Sequence, residues 1–353
     1  MKIINRLRKP AAVAMFSLMA FSAQAAETFR LAWSLYPANM AWDYAAREGI
    51  VDKWAKKYGI ELEVVQINDY VEAINQYSAG AFDGCLMATM DALTIPAAAG
   101  VDSTVLTITD YSNGNDVIII KNGESVSDLK GKRVNVIEFS ISHYFLAKAL
   151  ESVGLSERDI TLVNTSDADM VALFAQPSVQ AMVTWNPMAA AVLEHDEARN
   201  VLDSRKMPGE LTDSIVVNTK VLNENPNLGK VIIGAWFETL AIMKRDDEVG
   251  RQAREAMGIA AGTDLAGFEE QLAATYIYDQ ADEVTALMAG TELQQSMASI
   301  SEFAYEKGLL GSGATSAGAI GIEYPQGKVW GDASNVKLRF DNRFVEMAAK
   351  GEL

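Results

Sequence analysis

Residues Thr28–Ile67, TFRLAWSLYPANMAWDYAAREGIVDKWAKKYGIELEVVQI, read as strand, loop, helix and strand. TFRLAW is a short β-rich run. From Trp42 to Lys57, the residues Trp42, Ala45, Ala46, Gly49, Ile50 and Trp54 recur at helical spacing, lysines fill the last turn, and Gly59 stops the helix. LEVVQI then opens the next strand. The loop after the first strand has an unusual composition: Arg30–Trp42, RLAWSLYPANMAW, supplies Trp33, Tyr36, Pro37 and Trp42 where a phosphate site would supply GxGxxG or GxxxxGK[ST]. A dinucleotide or nucleoside triphosphate site is therefore not expected there.

The alternation continues toward the C terminus. Asp69–Ala79 reads as a helix opened by an Asp69/Glu72 capping box, followed by DGCLMA, a helix over 91–99, and VLTITD. A second series starts at DVIII (Asp116–Ile120): RVNVIE, a helix from about Ser142 to Val153, ITLVN, a helix near Asp167–Ala175, VQAMVT, a helix after Pro187, and SIVVN (Ser214–Asn218). From Asn223 onward the pattern turns almost wholly helical. Two such series predict an α/β protein of two lobes, each a doubly wound, mostly parallel sheet, with a helical C-terminal extension on lobe I. Lobe I is expected over 26–116 and again, mainly helical, over 219–353; lobe II is expected over 117–218.

Residues 1–25 have the form of a signal peptide. Lys2, Arg6, Arg8 and Lys9 precede the apolar Ala11–Phe21, and Ala23-Gln24-Ala25 forms an A-x-A cleavage signal. Cleavage near Ala25, with no cysteine after it to take a lipid and no later apolar run of spanning length, predicts a soluble periplasmic protein, most simply a monomer. Removing those four basic side chains takes the formal charge from −17 to −21. Such a surface repels nucleic acid. The sole cysteine, Cys85, has no internal partner and lies in the apolar context FDGCLMAT, so burial in a core is expected. The roughly 330 residues after the signal exceed the usual size of one core, which again favours two lobes.

In open α/β sheets ligands sit beyond the carboxyl ends of the strands. Here those ends are WSLYP, ATMDA, DYSNGND, EFSISHY and TWNPM, rich in Ser, Thr, Asn, Trp and Tyr. A sulfonate or nitrate site normally gathers Arg, Lys or helix N-terminal amides. The segments 33–43, 87–95, 110–117, 138–145 and 184–190 contain no Lys or Arg, but they do contain Asp43, Asp91, Asp110, Asp116 and Glu138. A cation is the better match, held by carboxylates and by aromatic faces worth about 0.5–2 kcal/mol each. The expected ligand-binding set is Trp33, Ser34, Tyr36 and Trp42 from the first loop, then Thr89, Asp91, Asn115, Asp116, Glu138, Ser140, Trp185 and Asn186. Asp91, Asp116 and Glu138 would be the carboxylates, and Trp33 and Trp185 the walls, one per lobe. Competing structural roles stand beside these: Asp91 as a helix cap, Trp33 and Trp42 as core, Glu138 in a salt bridge. Asp43 and Asp110 read as solvated or capping residues, His143 as a packing or hydrogen-bonding residue, His195 as surface, and Tyr44, Tyr58 and Tyr70 as structural. Neutral urea also fits, since Asn, Ser and carboxylate oxygens accept its NH groups.

The stretches SAGAFDGCLMATMDALTIPAAAGVD (Ser78–Asp102), SDLKGKRVNVIEFSISHYFLAKALESVGL (Ser127–Leu155) and VQAMVTWNPMAA (Val179–Ala190) resemble the nitrate, sulfonate and taurine binding proteins of ABC importers, a superfamily that also holds thiamine-pyrimidine precursor proteins. Within it, YGIELEVVQINDYVEAINQY, FDGCLMATMDALTIPAAAGVD and SNGND are similar to the binding proteins encoded with urea carboxylase-type enzymes, associated with urea and guanidine uptake. The first loop departs from that group, because WSLYPANMAWDYA stands where those proteins have a Trp-rich WSxYxGWMPWxYA pattern. The resemblance implies a type II periplasmic binding protein fold. The ligand would be guanidine, urea or a related amine, and the partners a membrane permease and its ATPase. A sulfonate, nitrate or thiamine-pyrimidine ligand is the alternative, as is presentation of ligand to a membrane sensor. Enzymatic activity is the least favoured reading: the superfamily's iron-using pyrimidine synthase has histidines and a Cys-rich motif, whereas this chain has one Cys, two His and neither HExxH nor GxSxG. No cofactor and no metal are expected.

Overall fold

The structure, a computed structural model, describes residues 27–353; the expected signal peptide, 1–25, lies outside the described residues. Among the described residues, fourteen strands form two sheets. The strands are β1 (Thr28–Trp33), β2 (Glu61–Gln66), β3 (Gly84–Ala88), β4 (Ser103–Ser112), β5 (Val117–Lys121), β6 (Arg133–Val136) and β7 (Thr161–Asn164), followed by β8 (Ala181–Thr184), β9 (Ala198–Asp203), β10 (Thr212–Asn218), β11 (Thr275–Ile277), β12 (Gly321–Tyr324), β13 (Lys328–Trp330) and β14 (Val336–Phe340). The larger sheet runs β13-β12-β14-β4-β10-β3-β1-β2, with β11 added on β4, and the smaller runs β7-β6-β8-β5-β9. Helices cover both, giving the mixed α/β, two-sheet architecture expected. Among the described residues no helix is long and apolar enough to cross a membrane.

The runs GCLMA of β3 and VIII of β5 are apolar because both of their faces are covered: every residue of β3 and β5 is buried, including Lys121 at the end of β5. Gly84 starts β3 where a Cβ would stand 2.9 Å from Leu31 Cδ1 and 3.0 Å from the Val216 carbonyl, so the flanking strands close in only on a residue without a side chain. The stretch read as one helix over 42–57 is two, Met40–Arg47 and Ile50–Tyr58, because Gly49 takes φ 70° between them. Gly59, at φ 71°, ends the second.

Three expectations are corrected. The sheets are not mostly parallel: β10 runs antiparallel to both β3 and β4, and β5 antiparallel to both β8 and β9. Residues 214–218 lie in the larger sheet, so the smaller one takes its strands only from 117–203. The C-terminal part is not almost wholly helical either, since β12, β13 and β14 extend the edge of the larger sheet.

The chain thus passes between sheets twice, at 113–116 and at 204–211. The two passages are tied to each other by serine hydroxyls. Ser112 Oγ and Ser204 Oγ are 2.6 Å apart; Ser112 Oγ accepts from the Asp116 amide at 2.9 Å and Ser204 Oγ from the Gly114 amide at 2.7 Å. A paired crossover of this kind concentrates relative motion of the lobes in a few residues.

Candidate functional site

The loop after β1 needs no glycine because its own side chains hold it. Asn39 Nδ2 donates to the Ser34 carbonyl at 3.1 Å, and the Tyr36 hydroxyl donates to Asp110 Oδ1 at 3.0 Å. Asp110 ends the apolar part of β4, and its Oδ2 accepts from Thr109 Oγ1 at 2.8 Å. Across the sheet, Tyr70 opens the helix Tyr70–Ser78, which Asp69 caps by accepting from the Glu72 amide. The Tyr70 hydroxyl donates to Asp91 Oδ2 at 2.6 Å and accepts from the Ala88 amide at 2.9 Å.

These groups surround a small cavity of about 40 Å³. Since roughly 10–15 Å³ on this scale holds one water, it has room for a ligand of a few heavy atoms. Ser34, Tyr36, Asn39, Tyr70 and Asp213 line it from the larger lobe, with Met87 and Ala88 at the end of β3. Asp116 on the crossover, and Ile141 and Trp185 on the smaller lobe, close it. Trp185 crosses the cleft: its Nε1 donates to the Leu35 carbonyl at 3.3 Å, and its ring meets that of Tyr70 edge-on at 5.7 Å. At the rim, Ser166 Oγ donates to Asp69 Oδ2 at 2.5 Å and the Tyr70 amide to Asp167 Oδ1 at 3.1 Å, so the lobes are in contact on both sides of the cavity.

The electrostatics are one-sided. Asp91 and Asp110 are fully buried, Asp116 is nearly so, and Asp213 is partly accessible at the cavity wall. Burial pushes Asp91 up to about 7; the Tyr70 hydroxyl and the Ile141 amide pull it back, and Asp116 raises it further. Burial likewise pushes Asp110 up to about 7 against the hydroxyls of Thr109 and Tyr36, and Asp116 up to about 6 against Ser112. Asp213 is driven well above the carboxylate range by burial and then by the charges of Asp110, Asp116 and Asp91. In β10, Asp213 stands opposite Asp110 on one side and Ala88 on the other. Like charges directly opposed across strands are unfavourable. No Lys, Arg or His is among the lining residues to balance them.

The predicted site residues divide three ways. Ser34, Tyr36, Asp116 and Trp185 line the cavity. Asp91, Thr89 and Asn115 stand one layer behind it: Asp91 under Tyr70, Thr89 accepting from the Thr212 hydroxyl at 2.9 Å, and Asn115 accepting from the Asn186 amide at 3.1 Å. Trp33, Trp42, Glu138, Ser140 and Asn186 are placed outside it. Trp33 is buried in the core at the end of β1, so the aromatic walls of the larger lobe are Tyr36 and Tyr70 instead. Trp42 is packed between helices, stacked on Trp236 at 6.0 Å. Glu138 is half-exposed, its amide held by Asn164 Oδ1. Ser140 caps the helix Ile141–Ser152, and Asn186 Oδ1 accepts from the Ala190 amide. Asp91 is not a helix cap, because the turn begins at Thr89 after Ala88. Tyr70, read as structural by sequence, lines the cavity, and Asp110, read as solvated or capping, is buried behind Tyr36, while His143 is a hydrogen-bonding core residue, its Nδ1 accepting from the Phe139 amide at 3.0 Å. Asn39 and Asp213 were not anticipated. Among the described residues no cluster of His, Cys, Asp and Glu could hold a metal ion.

Two α/β lobes joined by paired crossovers around a small cavity define a two-lobed ligand-binding fold. Residues 39–246, more than half of the chain, match the family described as NMT1/THI5 like, and the chain belongs to that family. Among solved structures, it superposes with TM-score 0.67 on the alkanesulfonate-binding protein SsuA from Xanthomonas axonopodis pv. citri bound to MOPS, at 20% identity, covering 82% of this chain and 96% of that one. The periplasmic aliphatic sulphonate binding protein SsuA from Escherichia coli gives TM-score 0.63 at 20% identity over 80% and 94% of the two chains. These likenesses show the type II periplasmic binding protein fold. In sequence, a protein of Escherichia coli (strain K12) whose name refers to aliphatic sulfonates binding is 29% identical over 184 residues, 51% of this chain and 54% of that protein. The chain spans about half the length of the curated relatives it matches.

Proposed function

We propose that this protein is the periplasmic substrate-binding component of an ABC importer, working as a monomer, and that it captures a small cation bearing several N–H donors, of the guanidine type. The observation that carries the ligand class is the pair Asp116 and Asp213 on a cavity with no basic lining residue. A planar cation forms charge-assisted hydrogen bonds with such carboxylates, each worth about 1.5–3 kcal/mol. The faces of Trp185, Tyr36 and Tyr70 add cation–π attraction of about 0.5–2 kcal/mol each as water leaves. Asn39 Oδ1, buried on the wall and without a hydrogen-bond partner, offers a further acceptor. A helix N-terminus, the usual anion-binding device, reaches the cavity wall at Ile141, but the buried carboxyl of Asp91 lies beside it and disfavours an anion there. A ligand seated between Trp185 and the larger lobe stabilises the closed form, which the permease and its ATPase then recognise.

The experiment is thermal unfolding of the chain from residue 26 onward against guanidinium, methylguanidinium, urea, nitrate, taurine and a thiamine-precursor pyrimidine. A ligand at a hundredfold excess over its Kd stabilises by about 2.7 kcal/mol. Stabilisation by guanidinium compounds supports the proposal. Stabilisation by taurine or nitrate alone, in line with the names of the relatives, refutes the cation.

A further inference from the structure

Four aspartates gather at one cavity from four different places in the chain: Asp116 of the crossover before β5 and Asp213 at the start of β10 are on its wall, and the buried Asp91 in the turn after β3 and Asp110 near the end of β4 stand behind the Tyr70 and Tyr36 that line it. Tyrosine hydroxyls from the cavity wall engage two of them. Tyr36 donates to Asp110 and Tyr70 to Asp91, and the start of β10 sets Asp213 opposite Asp110. We propose that the ligand-free site keeps at least one proton on these four carboxyls at neutral pH and releases it as the cation enters, so that capture exchanges a proton for the ligand. The inference deepens the cation reading and rests on it for the exchange, though not for the retained proton.

The geometry leaves few other ways to balance the charge. The groups facing the four carboxyls are the hydroxyls of Tyr36, Tyr70, Thr109 and Ser112, the Tyr278 ring beyond Asp110, the Ile141 amide, and one another. Arg205, packed on Gly114 of the crossover, is exposed and committed to Asp203. Lower on the cleft, Glu210 is engaged by the Tyr144 hydroxyl. At the rim Asp69 and Asp167 add two more carboxylates and no cation. A group of like charges with so little compensation ionises in steps belonging to the cluster rather than to single residues. A guanidinium brings one positive charge into the same space, and one carboxyl O–H then gives its proton to the solvent. Net charge inside the cleft is unchanged by the exchange, which keeps the desolvation cost of binding low.

Infrared spectroscopy of the ligand-free protein at pH 7 tests the retained proton without any ligand. The carbonyl stretch of a protonated carboxyl is expected, with reduced intensity in Asp116→Asn and in Asp213→Asn. Calorimetry with guanidinium in two buffers of different ionisation enthalpy tests the exchange: at pH 7, release approaching one proton per ligand and affinity still rising by up to about tenfold per pH unit, levelling only above the pH at which the ligand-free site loses its retained proton. A protein without the protonated band at pH 7 overturns the proposal whatever it binds. Guanidinium binding with no buffer dependence and a flat pH profile overturns the exchange and leaves the cation reading standing. A protein that shows the band but ignores guanidinium overturns both.

Discussion

Replacing Asp116 by Asn keeps the shape of the side chain and removes its charge, so it separates what the carboxylate costs the empty protein from what it gives the ligand. Burial moves this carboxyl from 3.8 to about 6. Its folded pKa is raised above its unfolded value, so the folded state binds more protons between those limits and stability falls as pH rises through that window. About two pH units correspond to about 3 kcal/mol, present below pH 4 and lost by about pH 7. The variant lacks that loss. Chemical denaturation of the ligand-free proteins is therefore expected to show Asp116→Asn more stable than the parent by up to about 3 kcal/mol at pH 8, with the two converging at pH 4. Ligand works against that gap. Losing one charge-assisted contact of about 1.5–3 kcal/mol weakens guanidinium about 10- to 150-fold, so excess guanidinium protects the parent by up to about 1.5–3 kcal/mol more than the variant. A variant with the parent's pH profile, or one that retains full protection by guanidinium, would refute the assignment of Asp116 as a buried, unbalanced ligand carboxylate.

Other substitutions separate the cavity from its surroundings. Trp42→Ala removes the stack on Trp236 and is expected to cost about 3–5 kcal/mol of stability in denaturant melts, while the shift on adding guanidinium is preserved. Glu138→Gln, outside the cavity, should leave guanidinium affinity within about twofold in calorimetry. Asp69→Ala with Ser166→Ala removes the bond across the rim; solution scattering should show a more expanded ligand-free protein, and affinity should fall several-fold because the closed form is less populated.

Much of the fold was legible because its signals are local. The helical spacing around Trp42, the glycine stop at Gly59 and the apolar runs GCLMA and VIIIK each follow from residues near in sequence. What was not legible depends on pairing at a distance. The run SIVVN has the same alternation in either lobe, and only its insertion between β3 and β4 places it in the larger sheet. That insertion also hid Asp213. A rule that looks for ligands at the carboxyl ends of parallel strands passes over the first residues of an antiparallel one, although those residues lie beside the ends of its neighbours. Asp110 did sit at such an end, yet nothing local distinguishes a buried aspartate from a solvated one; the Tyr36 hydroxyl that marks it comes from 74 residues away. Trp33 and Trp42 illustrate the converse, since aromatic residues near a binding loop also serve the core beneath it.

Selection of a cation by the cleft is decided by competition: crystallisation of the chain from residue 26 onward in the presence of equal concentrations of guanidinium and taurine. A planar density within hydrogen-bond distance of Asp116 and Asp213, with the Trp185 ring against it, is the expected result. A sulfonate seated on the Ile141 amide, with no guanidinium at the two carboxylates, would contradict it.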